Sequence, residues 1–84
     1  MEKRIGCISI LISNRDIVSQ VNLLLSEFAE IILARQGLPL RDYGIHCISL
    51  IVEGTTDQIS ALTGKLGRLP DVEAKSMVAK KMRS

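Results

Sequence analysis

Two apolar segments that each run straight into a helix-start signal predict an α+β fold for this chain. They are residues 3–12 (KRIGCISILI), followed by Ser13-Asn14-Arg15-Asp16, and residues 45–53 (IHCISLIVE), followed by Gly54-Thr55-Thr56-Asp57. Two strand-into-helix units of nearly equal length in 84 residues read as a duplicated half-domain. The layout is ferredoxin-like βαββαβ, a four-stranded antiparallel sheet with two helices on one face. A chain of this length makes one domain, taken here as residues 1–84.

The first strand alternates Gly6, Ile8, Ile10 and Ile12 against Cys7, Ser9 and Leu11. In the next segment Ile17, Val18, Val21, Leu24, Leu25 and Phe28 recur on one face at 3.6 residues per turn, and Ser19, Gln20, Asn22, Ser26 and Glu27 occupy the other. This predicts a helix near residues 16–28. Ser13 or Asn14 can accept its free N–H groups, and Asp16 suits the positive end of its dipole.

The helix exit allows two readings. Ile31 and Ile32 continue the helical spacing, which would carry the helix to Arg35. The compact run Ile31-Ile32-Leu33, with Gly37, Pro39 and Gly44 beyond it, favours instead a strand over about residues 30–38 and a hairpin into the third strand. The third strand alternates His46, Ile48, Leu50 and Val52 against Cys47, Ser49, Ile51 and Glu53. Thr55 and Gln58 form a capping-box pattern, and Ile59, Leu62 and Leu66 form the stripe of a second helix over residues 56–66. Gly64 costs that helix about 1 kcal/mol relative to Ala, which implies close packing or an early end. Gly67 is the expected terminator. Pro70-Asp71 then turns the chain into a last strand over about residues 72–79, and Lys80, Lys81 and Arg83 form a short basic tail.

Composition bounds the function. The chain is 46% hydrophobic but 2% aromatic, so its core is built from Ile, Leu and Val. So small a domain buries only roughly 60–65% of its unfolded surface, and oligomerisation is the usual remedy. A net charge of +2 is too weak to point to nucleic acid. An RNA-recognition domain of this topology would stack bases on aromatics in its central strands, and these have none. No apolar run approaches the roughly 20 residues of a membrane span. Met-Glu-Lys-Arg leads straight into a strand without a signal-peptide pattern, so the expected compartment is the cytoplasm.

In the ferredoxin-like strand order 4-1-3-2, strands one and three are central. Ile8, Ile10, Ile12, Ile48, Leu50 and Val52 then lie under the helices. The other face shows Cys7, Ser9, Leu11, Cys47, Ser49 and Ile51, small and half-apolar with no charge at its centre. A water-facing antiparallel face carries Lys, Glu, Arg and Thr. Something covers this one, and a second copy of the chain is the simplest candidate. Cys7 and Cys47 lie 40 residues apart without CxxC spacing. They read as buried reduced thiols, with a redox pair or metal ligation alongside His46 as the sharper alternatives. Alternation places His46 opposite both cysteines, against a closed metal site, and a partly buried structural histidine is the plainer reading.

There is no Gly-rich phosphate loop, no GxSxG and no HExxH, and no nucleophile–base pair, so no catalytic residue is assigned. What remains is polar and basic groups at turns: Asn14, Arg15 and Asp16 at the first helix start, and Arg35, Arg41 and Asp42 around the hairpin. Helix starts and arginines suit anions such as carboxylates. Ordinary capping and solvated charge would use the same residues.

Three stretches carry a family resemblance: residues 31–42 (IILARQGLPLRD) with Gly44-Ile45, residues 48–57 (ISLIVEGTTD), and residues 61–67 (ALTGKLG) with Pro70 and Val72. Together they resemble the small single-domain iron-only hydrogenase system regulators, over essentially the whole chain. The resemblance implies a relation to ACT domains and to the C-terminal domain of nickel-responsive repressors. It thereby implies an ACT-like fold, dimers or tetramers, and regulation by a small effector in anaerobic bacteria, and it favours the strand reading of residues 31–37. Nickel sites of those repressors use several histidines and this chain has one, so no metal or cofactor is expected. No DNA-binding segment is attached, so a regulatory role implies a partner protein. ACT domains bind amino acids at subunit interfaces near the first strand–helix loop, here Ser13 to Asp16. The expected ligand residues are Asn14, Arg15 and Asp16 at this loop, together with Arg35 and Arg41 from the hairpin. A non-ligand-binding assembly partner is the alternative.

Overall fold

The computed structural model describes residues 2–80. Strands β1 (Arg4–Ile12), β2 (Ile32–Leu40), β3 (Ile45–Gly54) and β4 (Val72–Val78) alternate with helices α1 (Val18–Glu27) and α2 (Thr56–Gly67) in the order βαββαβ. The sheet runs β2-β3-β1-β4 and every pairing is antiparallel, so the fold is α+β with β1 and β3 at its centre. Among the described residues no helix is long and apolar enough to cross a membrane.

Strict alternation builds the core. Ile8, Ile10, Ile12, Ile48, Leu50 and Val52 are all at most 1% exposed, and Val21, Leu25, Ile59, Leu62 and Leu66 close over them from the helices. Helix α1 is entered through a 3₁₀ turn, Arg15–Ile17. There the Asp16 N–H donates to Asn14 Oδ1 at 3.0 Å, and the Ile17 N–H donates to the Asn14 carbonyl at 3.0 Å. The side-chain cap draws the first turn tighter than an α-helix. At α2 the capping box forms as its spacing predicts: Gln58 N–H donates to Thr55 Oγ1 at 3.1 Å, and Thr55 N–H to Gln58 Oε1 at 2.9 Å.

The exit from α1 takes the strand course, two residues later than expected. Residues Ala29–Ile31 form a 3₁₀ turn, and β2 spans Ile32–Leu40 rather than residues 30–38. Ile31 enters the core, 6% exposed, before pairing begins. The helix cannot continue to Arg35 because Ile32 already pairs with Val52. A bulge follows: the register steps from Ile32 opposite Val52 to Ala34 opposite Ile51, leaving Leu33 unpaired and 58% exposed. That extra residue turns Ala34, Gln36 and Leu38 to the face away from the helices. Pro39 does not end the strand, since β2 is an edge strand and loses no inner ladder bond.

Of two glycine expectations, the one for Gly64 is corrected and the one for Gly67 as the end of α2 holds. A Cβ at Gly64 would meet nothing within 4 Å, and α2 continues past it to Gly67, so neither close packing nor early termination explains it. Gly67 ends α2 without a positive φ; the reversal into β4 is made by Asp71, at φ 61. The Asp71 carbonyl accepts the Ser13 N–H at 2.9 Å, and its carboxylate accepts Asn14 Nδ2–H at 3.3 Å, tying the α2–β4 turn to the β1–α1 loop. Of the basic tail, Lys80 is exposed, and Lys81 and Arg83 lie outside the described residues.

Candidate functional site: a basic cleft at one sheet end and an apolar sheet face

Antiparallel pairing decides which loops meet. Ile12, the last residue of β1, lies opposite His46 near the start of β3. The β1–α1 loop and the β2–β3 hairpin therefore share one end of the sheet. Between them is a cavity of about 600 Å³, a size that suits a small ligand. Ser13, Asn14, Arg15 and Val18 form one wall, Pro39, Leu40, Arg41 and Gly44 the other, and Ile12, Ile45 and His46 the floor. Gly44 holds the hairpin wall in place: at φ 65 it closes the Arg41–Tyr43 turn, its N–H donating to the Arg41 carbonyl at 3.2 Å.

Three of the five ligand residues expected from sequence, Asn14, Arg15 and Arg41, line this cavity. Two do not. Arg35 pairs opposite buried Leu50, and its Nη2–H donates to Asn22 Oδ1 at 2.9 Å, which ties β2 to α1. Asp16 spends its N–H on the cap and stays exposed outside the cleft. Among the described residues, the guanidinium groups of Arg15 and Arg41 have no hydrogen-bond or ion-pair partner. His46, half-buried as expected, faces the cleft, which the sequence reading missed. The signal that could have found it was topological: the residue before Cys47 must lie beside the end of β1.

Asp71 and Glu73 line a smaller groove of about 340 Å³ on the other side of Ile12, Ser13 and Ile45. Opposite charges are thus sorted to either side of the β1 terminus.

The sheet face away from the helices is open to solvent in the single chain. Its pairs form rows across the sheet: Ala34, Ile51, Cys7 and Met77; then Gln36, Ser49, Ser9 and Lys75; then Leu38, Cys47, Leu11 and Glu73. Leu11 is 42% exposed, Ile51 46% and Met77 73%. Its charges in these rows, Lys75 and Glu73, stand on the β4 edge. Both central strands carry Cys-Ile-Ser followed by two aliphatic residues, and they pair about Ser9 and Ser49. The face is therefore nearly two-fold symmetric within one chain. The cysteines are free, as their spacing predicts: Cys7 pairs opposite Ile51 and Cys47 opposite Leu11, four positions apart. The expectation that they are buried fails in the single chain, where Cys7 is exposed and Cys47 half-buried, because both point away from the helices.

Comparison with known proteins agrees with this architecture. A family described as "TM1266-like: Iron-only hydrogenase system regulator, putative" matches residues 4–76. The solved structure of protein TM1266 from Thermotoga maritima is 38% identical, with a TM-score of 0.89, over 94% of this chain and 100% of that one. A protein of Galdieria sulphuraria shares 19% identity at a TM-score of 0.62, over 99% of this chain and 48% of that one. The divalent ion tolerance protein CutA1 from Ehrlichia chaffeensis shares 13% at 0.50, over 99% of this chain and 88% of that one. The latter two are similar in fold alone, and CutA1 is consistent with the ferredoxin-like layout. No curated protein matches the sequence.

Proposed function

Because this chain belongs to the TM1266-like family of iron-only hydrogenase system regulators, we propose that it is an oligomeric, ACT-like sensor of that system. It takes a small ligand in the cleft between the β1–α1 loop and the β2–β3 hairpin and passes the signal to a partner protein in the cytoplasm. One observation carries the reading: two arginines without partners among the described residues line a single cavity floored by Ile12, Ile45 and His46. Solvated arginines have no need of a shared concavity. An arginine's fork of donors suits a bound carboxylate or phosphate.

The oligomer forms through the outer sheet face, and its occupant is a second copy of the chain. Small side chains at Cys7, Ser9, Cys47 and Ser49 allow close approach, and Leu11 and Ile51 supply apolar area at the centre. The local two-fold about Ser9 and Ser49 suits self-association, since an isologous interface must be its own complement. The cleft opens beside this face through Leu40 and Ile45, so docking and ligand binding share a boundary.

Thermal melts against amino acids, organic acids, nucleotides and divalent metals test the sensor reading. A ligand present at about 100 times its Kd adds roughly 2.7 kcal/mol to the native state. A concentration-dependent rise with one class is the expected result. A flat response across the panel refutes the sensor and favours a non-ligand-binding assembly partner of the same system.

A further inference from the structure

Resting on the cleft as a ligand site, we infer the chemical class of its occupant: a small carboxylic acid with an apolar body and no ammonium group. Its carboxylate meets Arg15 and Arg41, and its hydrocarbon lies on Ile12, Val18, Leu40 and Ile45.

The argument is one of charge complementarity. The cavity wall carries two permanently charged guanidinium groups and a histidine, and no carboxylate lines it. An α-amino acid brings an ammonium group within one bond of the carbon that bears its carboxylate. In this cleft that ammonium would face two like charges, and it would leave water without an anionic partner. Three acceptors near it already take a hydrogen bond. Asn14 Oδ1 accepts the Asp16 N–H, the Asn14 carbonyl accepts the Ile17 N–H, and the Arg41 carbonyl accepts the Gly44 N–H. The Asp71 carboxylate at the rim is held by the Asn14 side-chain amide, and Glu73 lines the adjoining groove, which shares Ile12, Ser13 and Ile45 with the cleft.

The apolar half of the ligand follows from the rest of the lining. Aliphatic side chains and Pro39 make up most of the non-basic wall, so a bare inorganic anion would leave them wet. A space of about 600 Å³ leaves ample room for a hydrocarbon body against this wall.

The test is calorimetric titration of the intact protein with a matched series on one carbon skeleton: isocaproate, α-ketoisocaproate, leucine and isohexylamine, with acetate and inorganic phosphate as bare anions. The expected result is binding of isocaproate and its keto acid, leucine weaker by roughly tenfold or more, and no binding of the amine or the bare anions. Arg15→Gln and Arg41→Gln each weaken the acids by roughly tenfold or more with unchanged circular dichroism, while Arg35→Gln, outside the cleft, does not. Leucine or isohexylamine binding as tightly as isocaproate overturns the inference and leaves the ligand site standing. Phosphate or acetate binding as tightly overturns its apolar half. Binding of some other class in the melt panel, with none in this series, overturns the inference alone. No binding in either experiment removes the sensor reading with it.

Discussion

Ile51→Glu is the sharpest test of the covered sheet face. Ile51 stands at the middle of the outer face between Ala34 and Cys7, with no cation directly opposite to neutralise a new carboxylate. Leu11→Lys is a blunter probe, because Leu11 pairs opposite Glu73, which could hold the introduced ammonium. Ile51 is 46% exposed in the single chain. Full burial of an isoleucine contributes about 1.5–3 kcal/mol, so covering the exposed part contributes about 0.7–1.4 kcal/mol per copy. A two-fold interface uses the residue twice, making this about 1.4–2.8 kcal/mol, or roughly tenfold to a hundredfold in Kd. Two unpaired carboxylates brought into the contact add a desolvation cost of their own. The expected result is a shift from oligomer to monomer at micromolar concentration, read by light scattering and sedimentation, with far-ultraviolet circular dichroism unchanged. Ile51→Thr separates charge from size: it keeps a β-branched residue and weakens association only modestly. Gln20→Glu, on the exposed side of α1, changes neither mass nor melting temperature. A wild type that is monomeric at micromolar concentration refutes the covered face, as does an Ile51→Glu protein that keeps the wild-type mass.

Gly64→Ala stabilises the protein by about 1 kcal/mol, because a Cβ there meets nothing within 4 Å and the helix interior favours Ala; a melting temperature that falls would show that the glycine serves a contact made by another molecule. Leu62→Ala, at a position 0% exposed under the sheet, lowers unfolding free energy by about 2–5 kcal/mol in denaturant titration. A loss below about 1 kcal/mol would mean that the core collapses around the cavity. Titration of unfolded protein finds two free thiols per chain, since the four-position offset of Cys7 and Cys47 along β1 and β3 exceeds the reach of a disulfide. Finding none would overturn the register.

The local code set the strands, the caps and the side each residue takes. Ile8, Ile10 and Ile12 could occupy one face only, and with Ile48, Leu50 and Val52 they named the core before any contact was known. Thr55 and Gln58 marked the start of α2 because the capping box is made by residues three apart. These signals are short-range, so the chain carries them on its surface. Where two readings of a segment were both locally sound, tertiary contacts chose. Ile31 suited a helix or a strand, with the punctuation beyond it favouring the strand. The room for it in the core, together with the pairing of Ile32 to Val52, ended the helix, delayed β2 and expelled Leu33 as a bulge. Arg15, Arg35 and Arg41 looked alike as basic residues at turns. Only the antiparallel register, which sets the end of β1 beside His46 and the hairpin, brought Arg15 and Arg41 to one cavity and sent Arg35 to Asn22. Periodicity governs which way a side chain points; which other side chain it meets depends on residues distant along the chain, and that is decided only when the sheet closes.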